Sequence, residues 1–302
     1  MRILFAGAND WANIAHEAAR SINVVAPHTA RVWVQNKHPY GYLEGDLHPE
    51  EAWRDRQDLL ILVNSGDGDY VSMDRIVGQL GLTPDAFVAL HVGSAYRHDP
   101  TKYEEEDAAR GALLRVVGCS LLRFALGGPL EPITIPFYPA HGRAMAHPAD
   151  RSDELLVSHS PSTRLTKGTR TILAACENVD VIEAVSHRAC LERRSKSNVF
   201  VCQMCPRIGG IGVSAIEALA QGCVVLADIR HVRPEVFARL VPPPIIHVES
   251  EENLRVELER LADADVRRDL QALSRKWSLD NTAAQPVGRY WLAQITKRLD
   301  AL

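Results

Sequence analysis

The feature that most restricts this chain is a strand-then-helix alternation that runs once, stops, and runs again. RILFAG, ARVWVQ, DLLILVN, FVALHVG, LRVVGCS and PITIPFY are short apolar runs in the first half. Most of them end in glycine or polar residues. ELLVSHS, DVIEAV, NVFVCQM, CVVLAD and PIIHV repeat the pattern in the second half. Between them lie helical segments such as IAHEAARSI, KGTRTILAACENV, HRACLERRSK and GVSAIEALAQ. Continuous apolar runs of this length read as strands of a parallel sheet buried on both faces. Residues 139–153 (PAHGRAMAHPADRSD) lack apolar periodicity and read as the joint between the two series. From Ser250 onward the pattern is helical only. Two such series predict an α/β chain of two doubly wound, Rossmann-like domains, over residues 1–148 and 149–280. Ligands of such sheets sit at the carboxyl ends of the strands, so the cleft between the domains is the expected site.

Composition narrows the class of function. Of the 302 residues, 46% are hydrophobic and 24% charged, enough for two cores. No run approaches the roughly 20 apolar residues of a membrane span. MRILFAGANDWANIAHE lacks the residue order of a signal peptide, and six cysteines are too few for a disulfide scaffold. A cytoplasmic location is therefore expected. A net charge of −4 gives no global field for nucleic acid.

Several residues carry chemistry by type and position. Gly209, Gly210 and Gly212 precede a helix, where glycine lets backbone N–H groups approach phosphate oxygens closely. Lys167 stands where another helix begins just after a strand, a cation placed to suit a diphosphate. Arg164, three residues earlier, is a second such cation. His91 ends the strand FVALHVG, and Gly93, Ser94, Arg97 and Asp99 share its loop. Gly7, Asn9 and Asp10 end the first strand and face either an acceptor or a diphosphate. Glu217, near the start of its helix, also suits the macrodipole there. Cys202 and Cys205 form a lone C-x-x-C without the second pair a zinc site needs. Asp67-Gly68-Asp69 offers an Asp-x-Asp at a strand end, but inside a Gly-rich turn where aspartate is common. Neither predicts a metal. Arg188, Arg193, Arg194 and Lys196 read as a solvated helix face rather than a polyanion site.

The segments HSPSTRLTKGTRTILAA, NVFVCQM, GGIGVSAIEALAQGCVVLAD and PPIIHVESEENLRVELERLADADVRRDLQALSRKW occur in an order that resembles the carboxyl-terminal half of GT-B glycosyltransferases, closest to the retaining family 4 type (glycosyl transferases group 1). The resemblance covers residues 155–280. In the first half it is confined to ALHVGSAYRHDPTKY and the Gly7 loop. It implies that residues 281–302 form a helix crossing back to the first domain. It also implies a donor site built from Glu217, Gly209, Gly210, Ile211, Gly212, Val213, Gln203, Ser162 and Thr163. In it Glu217 would hold the ribose hydroxyls, Lys167 and Arg164 the diphosphate, and His91 the transferred sugar. The chain departs from the family where many members carry a further glutamate eight residues before Glu217. Here that place is Gly209, and Gln203 is the substitute polar group.

The resemblance thus implies transfer of a sugar from a UDP- or GDP-sugar to a hydroxyl acceptor, with retention and without a metal. No cofactor is expected beyond the nucleotide sugar as co-substrate. The first domain would hold the acceptor: a saccharide, a small molecule, a lipid-linked sugar or a modified DNA base. The alternatives are a non-catalytic nucleotide-sugar-binding module, motivated by Gly209, and a nucleotide-sugar epimerase.

Overall fold

The computed structural model describes residues 1–25, 28–34, 36, 58–64, 77–78, 81, 87–92, 96, 98–118, 134–205, 211–232 and 234–300. The chain divides into two compact units. Unit 1 comprises Met1–Ala140 together with Ala284–Leu302, and unit 2 comprises His141–Ala283.

In unit 1 the described strands are β1 (Arg2–Gly7), β2 (Thr29–Val34), β3 (Leu59–Asn64), β4 (Phe87–His91), β5 (Leu114–Gly118) and β6 (Thr134–Phe137), with α1 (Ile14–Val25) and α2 (Pro100–Ala109) between them. They form one sheet in the order β2-β1-β3-β4-β5-β6, and every pair is parallel. Ile3, Phe5, Leu59, Ile61 and Leu90 are wholly buried, as parallel strands covered on both faces must be. Gly7 ends β1 opposite Val63 of β3. A Cβ there would lie 2.7 Å from the Val63 carbonyl oxygen, so only glycine lets the two strand ends close. α2 starts at an Asp99 cap that accepts the Lys102 N–H, with Pro100 on its first turn. Asp99, read above as a loop residue, is thus a helix cap.

In unit 2 the strands are β7 (Val157–His159), β8 (Val179–Val181), β9 (Val199–Gln203), β10 (Val224–Ala227) and β11 (Ile245–His247). The helices between and after them are α3 (Gly142–Met145), α4 (Arg164–Lys167), α5 (Thr169–Ala175), α6 (His187–Arg194), α7 (Val213–Gln221), α8 (Glu251–Arg260) and α9 (Ala264–Asn281). The sheet runs β11-β10-β9-β7-β8, again all parallel. Counted within each unit, the order is 2-1-3-4-5-6 in unit 1 and 2-1-3-4-5 in unit 2. This is the doubly wound topology whose switch point lies between the first and third strands. Val199, Val201, Leu226, Leu254 and Leu261 fill the unit 2 core.

Two local readings change. The helix expected over KGTRTILAACENV is the shorter α5, and its first residue, Lys167, ends the separate helix α4, the two being hinged at Gly168. That residue is left-handed (φ 67°), and a Cβ on it would lie 2.6 Å from the Met204 carbonyl oxygen. The joint expected over residues 139–153 is folded into unit 2 from His141 onward. Ala144 of α3 packs with Leu191 and Ala220, and Ala149 N–H donates to the Gln221 carbonyl at 2.6 Å. Spaced alanines bury there without large apolar residues, which is why periodicity missed them.

The last described helix, α10 (Ala284–Leu299), belongs to unit 1. Trp291 lies between Phe5 and Phe137, edge to face with each at 5.7 and 5.2 Å. Gly288 sits on α1 so closely that a Cβ would fall 2.1 Å from the Ser21 carbonyl oxygen. No described helix is long and apolar enough to cross a membrane.

Candidate functional site

The carboxyl ends of β7 and β9 flank the switch point of unit 2, and the residues there converge. β7 ends in His159 and β9 in Gln203. The His159 ring bridges outward from β7. Nδ1 donates to the Val201 carbonyl at 2.7 Å, which leaves Nε2 to accept from the Thr169 hydroxyl at 2.9 Å. Burial pushes His159 down to about 4, with the nearby Lys167 charge acting the same way and the Val201 bond opposing. The histidine is therefore neutral beside the ammonium.

Lys167 ends α4, and its carbonyl accepts the Met204 N–H at 3.0 Å, which ties the turn to the end of β9. Its Nζ donates to Gln203 Oε1 at 3.2 Å. It also lies 3.1 Å from where a Cβ on Gly212 would stand. Gly212 is the N-cap of α7, and no side chain caps that helix. By contrast, the hydroxyls of Ser186 and Ser250 and the carboxylate of Asp263 cap α6, α8 and α9. An ammonium held against an uncapped helix start combines a cation, the positive end of a macrodipole and backbone donors at one point. The chemistry such a point serves is binding an anionic oxygen. Ile211 is buried beneath this turn and Val213 is half-buried. Ser162 and Thr163 lie exposed ahead of α4, where the Thr163 carbonyl accepts the Lys167 N–H at 3.1 Å.

Arg164, the second expected cation, forms a two-pronged pair with Glu183, Nε and Nη2 both donating. The pair is largely exposed, and such pairs hold a side chain only weakly.

Glu217 is where the structure adds most to the sequence. It is buried one turn into α7, and both oxygens are engaged. His187 Nε2 donates to Oε1 at 2.6 Å, and Arg194 Nη2 donates to Oε2 at 2.8 Å. His141 Nδ1 stands 3.9 Å from Oε1. Burial opposes the Glu217 charge, but Arg194 and then His187 outweigh it and hold the carboxyl well below the usual range. Arg194 is itself fully buried, donating also to Gln221 Oε1 at 2.6 Å and lying over Phe200 at 5.2 Å. Burial pushes His141 down to about 4. The basic run is thereby split: Arg188 and Arg193 pair with Glu192 and Asp180 at the surface, while Arg194 turns inward.

In unit 1, His91 ends β4 wholly buried. Its Nε2 is 2.9 Å from Asp107, which also accepts from Arg115 Nε at 2.6 Å. Tyr96 stacks on His91 and donates its hydroxyl to Glu104 at 2.9 Å. Burial first, and Glu104 second, raise the Tyr96 phenol far above its ordinary value. Gly7, Asn9 and Asp10 lie together at the end of β1. Ser94, Arg97, Gly93, Gly209, Gly210 and Asp67-Gly68-Asp69 fall outside the described residues. Cys202 is buried with Sγ 3.6 Å from the Ser214 hydroxyl. Among the described residues no group of three or more His, Cys, Asp or Glu could hold a metal ion.

Two doubly wound units, each built on one all-parallel sheet, are the fold of the GT-B glycosyltransferases. Solved structures similar to this chain carry that fold. Sucrose-phosphate synthase from Thermosynechococcus elongatus superposes with a TM-score of 0.64 at 13% identity, over 100% of this chain and 99% of that one. A glycosyltransferase from Rickettsia africae does so with a TM-score of 0.64 at 11% identity, over 99% and 98%. The catalytic domain of starch synthase IV from Arabidopsis thaliana, bound to ADP and acarbose, gives 0.60 at 8%, over 99% of each chain. No family model matches the sequence, and no curated protein matches it.

Proposed function

We propose that this chain is a glycosyltransferase that draws its sugar from a nucleotide diphosphate sugar and delivers it to a hydroxyl acceptor without a metal ion. One observation carries the reading: the Lys167 ammonium lies against the uncapped, glycine-led start of α7 at the switch point of unit 2. There it can hold the diphosphate and stabilise the charge that grows as the bond to the sugar breaks. The ADP bound to starch synthase IV, a structure of the same fold, supports a nucleotide in this role. The carboxylates Glu183 and Glu217 are tied to Arg164 and to His187 with Arg194. Neither is offered as a nucleophile. This favours the retaining, front-face route, in which the departing phosphate takes the acceptor's proton. The same ties favour a second reading, a module that binds the nucleotide sugar without turnover, because Glu217 must part from His187 to reach a ribose.

The test is a panel of UDP-, GDP- and ADP-sugars assayed for release of the free nucleoside diphosphate, with and without crude acceptor pools and with EDTA. One donor should be consumed, EDTA should change nothing, and Lys167→Met should lower turnover about a hundredfold, as loss of a charge-stabilising group does. Binding without release under every condition would favour the module, and no binding at all would end both readings.

A further inference from the structure

The cations around the switch point of unit 2 differ in their partners. Arg164 pairs with Glu183 and Arg194 with Glu217, carboxylates that cancel each charge where it stands. Lys167 instead donates to an uncharged group, the side-chain carbonyl of Gln203, at 3.2 Å, and among the described residues no carboxylate forms an ion pair with it. An ammonium only donates, so the amide must turn its oxygen toward it. Gln203 is wholly buried at the end of β9, a place where glutamine is rare and costs free energy unless its hydrogen bonds are made. A bulge brings it there. Val201 pairs with Leu226 of β10 and Gln203 with Ala227, so Cys202 is an extra residue in the ladder. The Gln203 backbone carbonyl accepts the Asp228 N–H at 2.8 Å beyond the bulge. In a regular strand consecutive side chains point to opposite faces. Here Cys202 and Gln203 serve one corner: the place of a Cβ on Gly212 lies 3.0 Å from Cys202 Sγ and 3.1 Å from the ammonium that Gln203 holds.

We infer that Gln203 is the positioning residue of this corner: its carboxamide holds the Lys167 ammonium at the start of α7 without cancelling the charge. A carboxylate at 203 would hold the ammonium more tightly, since charge-assisted hydrogen bonds are about twice as strong as neutral ones. It would also neutralise it, leaving the uncapped helix start to draw an anion alone. An apolar residue of the same length would keep the charge but release a long, flexible side chain, and an incoming anion would then have to order it. Glutamine avoids both losses. That the held charge grips a diphosphate rests on the glycosyl-transfer reading; the hold itself does not.

Two substitutions separate the hold from the charge. Gln203→Met removes the acceptor and keeps the length, whereas Gln203→Glu keeps the acceptor and adds a charge. Nitrogen-15 spectra of the lysine ammonium groups read the hold, because a hydrogen-bonded ammonium exchanges its protons with water slowly enough to give a sharp signal at room temperature and a free one does not. The chain has six lysines, and the Lys167 signal is the one absent from Lys167→Met. It should survive in Gln203→Glu and vanish in Gln203→Met. Calorimetry with inorganic pyrophosphate reads the charge. Gln203→Glu should weaken binding at least about tenfold. Gln203→Met should weaken it about fivefold, and should add nothing in the Lys167→Met background. A glutamine that only supports the fold would instead tolerate glutamate and show the same loss with and without Lys167. A Lys167 signal that persists in Gln203→Met overturns the inference. Where Lys167→Met loses pyrophosphate, binding by Gln203→Glu as tight as that of the wild type overturns it too. Pyrophosphate that the wild type does not bind, or that Lys167→Met binds equally well, strikes the diphosphate reading alone, and the hold stands or falls with the spectra.

Discussion

Units 1 and 2 share a strand order but place opposite chemistry at the same topological position. At the end of β1 a carboxylate orients an imidazole, and the helix that follows is capped by that carboxylate. At the end of β7 and β9 an ammonium lies against a helix with no cap. The cores behind the two sites also differ. Unit 1 backs its strand ends with Asp107, His91 and Arg115 in a closed network. Unit 2 ties Glu217, on the helix that starts at the site itself, to His187 and Arg194 of α6. The same topological position thus carries different chemistry in the two units, and a few side chains make the difference.

The comparison can be broken most forcefully at Glu217. Glu217→Ala leaves Arg194 buried without its charge partner and should destabilise unit 2 by about 3–5 kcal/mol, seen as faster hydrogen exchange in β9 than in β1. A double variant that also carries Arg194→Met should recover much of the loss. If Glu217→Ala melts like the wild type, the cluster is not what holds α7 to α6.

Acid should sharpen the contrast next. His159 is neutral in folded unit 2, down at about 4, and titrates near 6.5 when unfolded. The unfolded state then binds more protons below 6.5, so stability falls as pH drops through 6.5 and levels off below about 4. The loss approaches about 3 kcal/mol from His159, and His141, shifted the same way, adds to it. Glu217, also shifted down, contributes stability at neutral pH that is lost as pH falls from the usual carboxylate range toward its own lower folded value. Exchange in unit 2 measured from pH 7 to 4 reads this slope, and His159→Asn should flatten it.

The hundredfold loss expected of Lys167→Met comes third, near 2.7 kcal/mol. Arg164→Ala comes last. Its exposed pair with Glu183 should matter little to stability, and nucleotide release should change a few-fold at most. An effect of Arg164→Ala equal to that of Lys167→Met would move the diphosphate toward α4.

Much of the fold could be read before any coordinates. The apolar runs, the α7 stop at Gly222 and the long helical tail depend on local pattern, and local pattern is what a sequence displays. Lys167 and Gly212 were legible for the same reason, each beside a glycine next to a strand or helix end. Arg194 was not. In HRACLERRSK it looks like one arginine of a basic face, and only the packing of α6 on α7 turns it toward Glu217, 23 positions away. His187 reaches Glu217 across 30 positions by the same packing, and His141 across 76 by the packing of α3 on α7. The imidazole that Asp10 orients, His16, was closer to hand, six residues on, but an i,i+6 pair straddling a left-handed turn follows no helical or strand period.

Trp291 fills the space between Phe5 and Phe137, and Gly288 lets its helix press onto α1, so the first sheet is finished by residues that leave the ribosome last among those described. All of His141–Ala283 must be translated before that tryptophan exists, an interval on the order of ten seconds at ordinary elongation rates. Through that interval the nascent unit 1 exposes an aromatic notch while unit 2 is free to fold behind it. Assembly order thus runs against chain order: the sheet that is translated first is completed last.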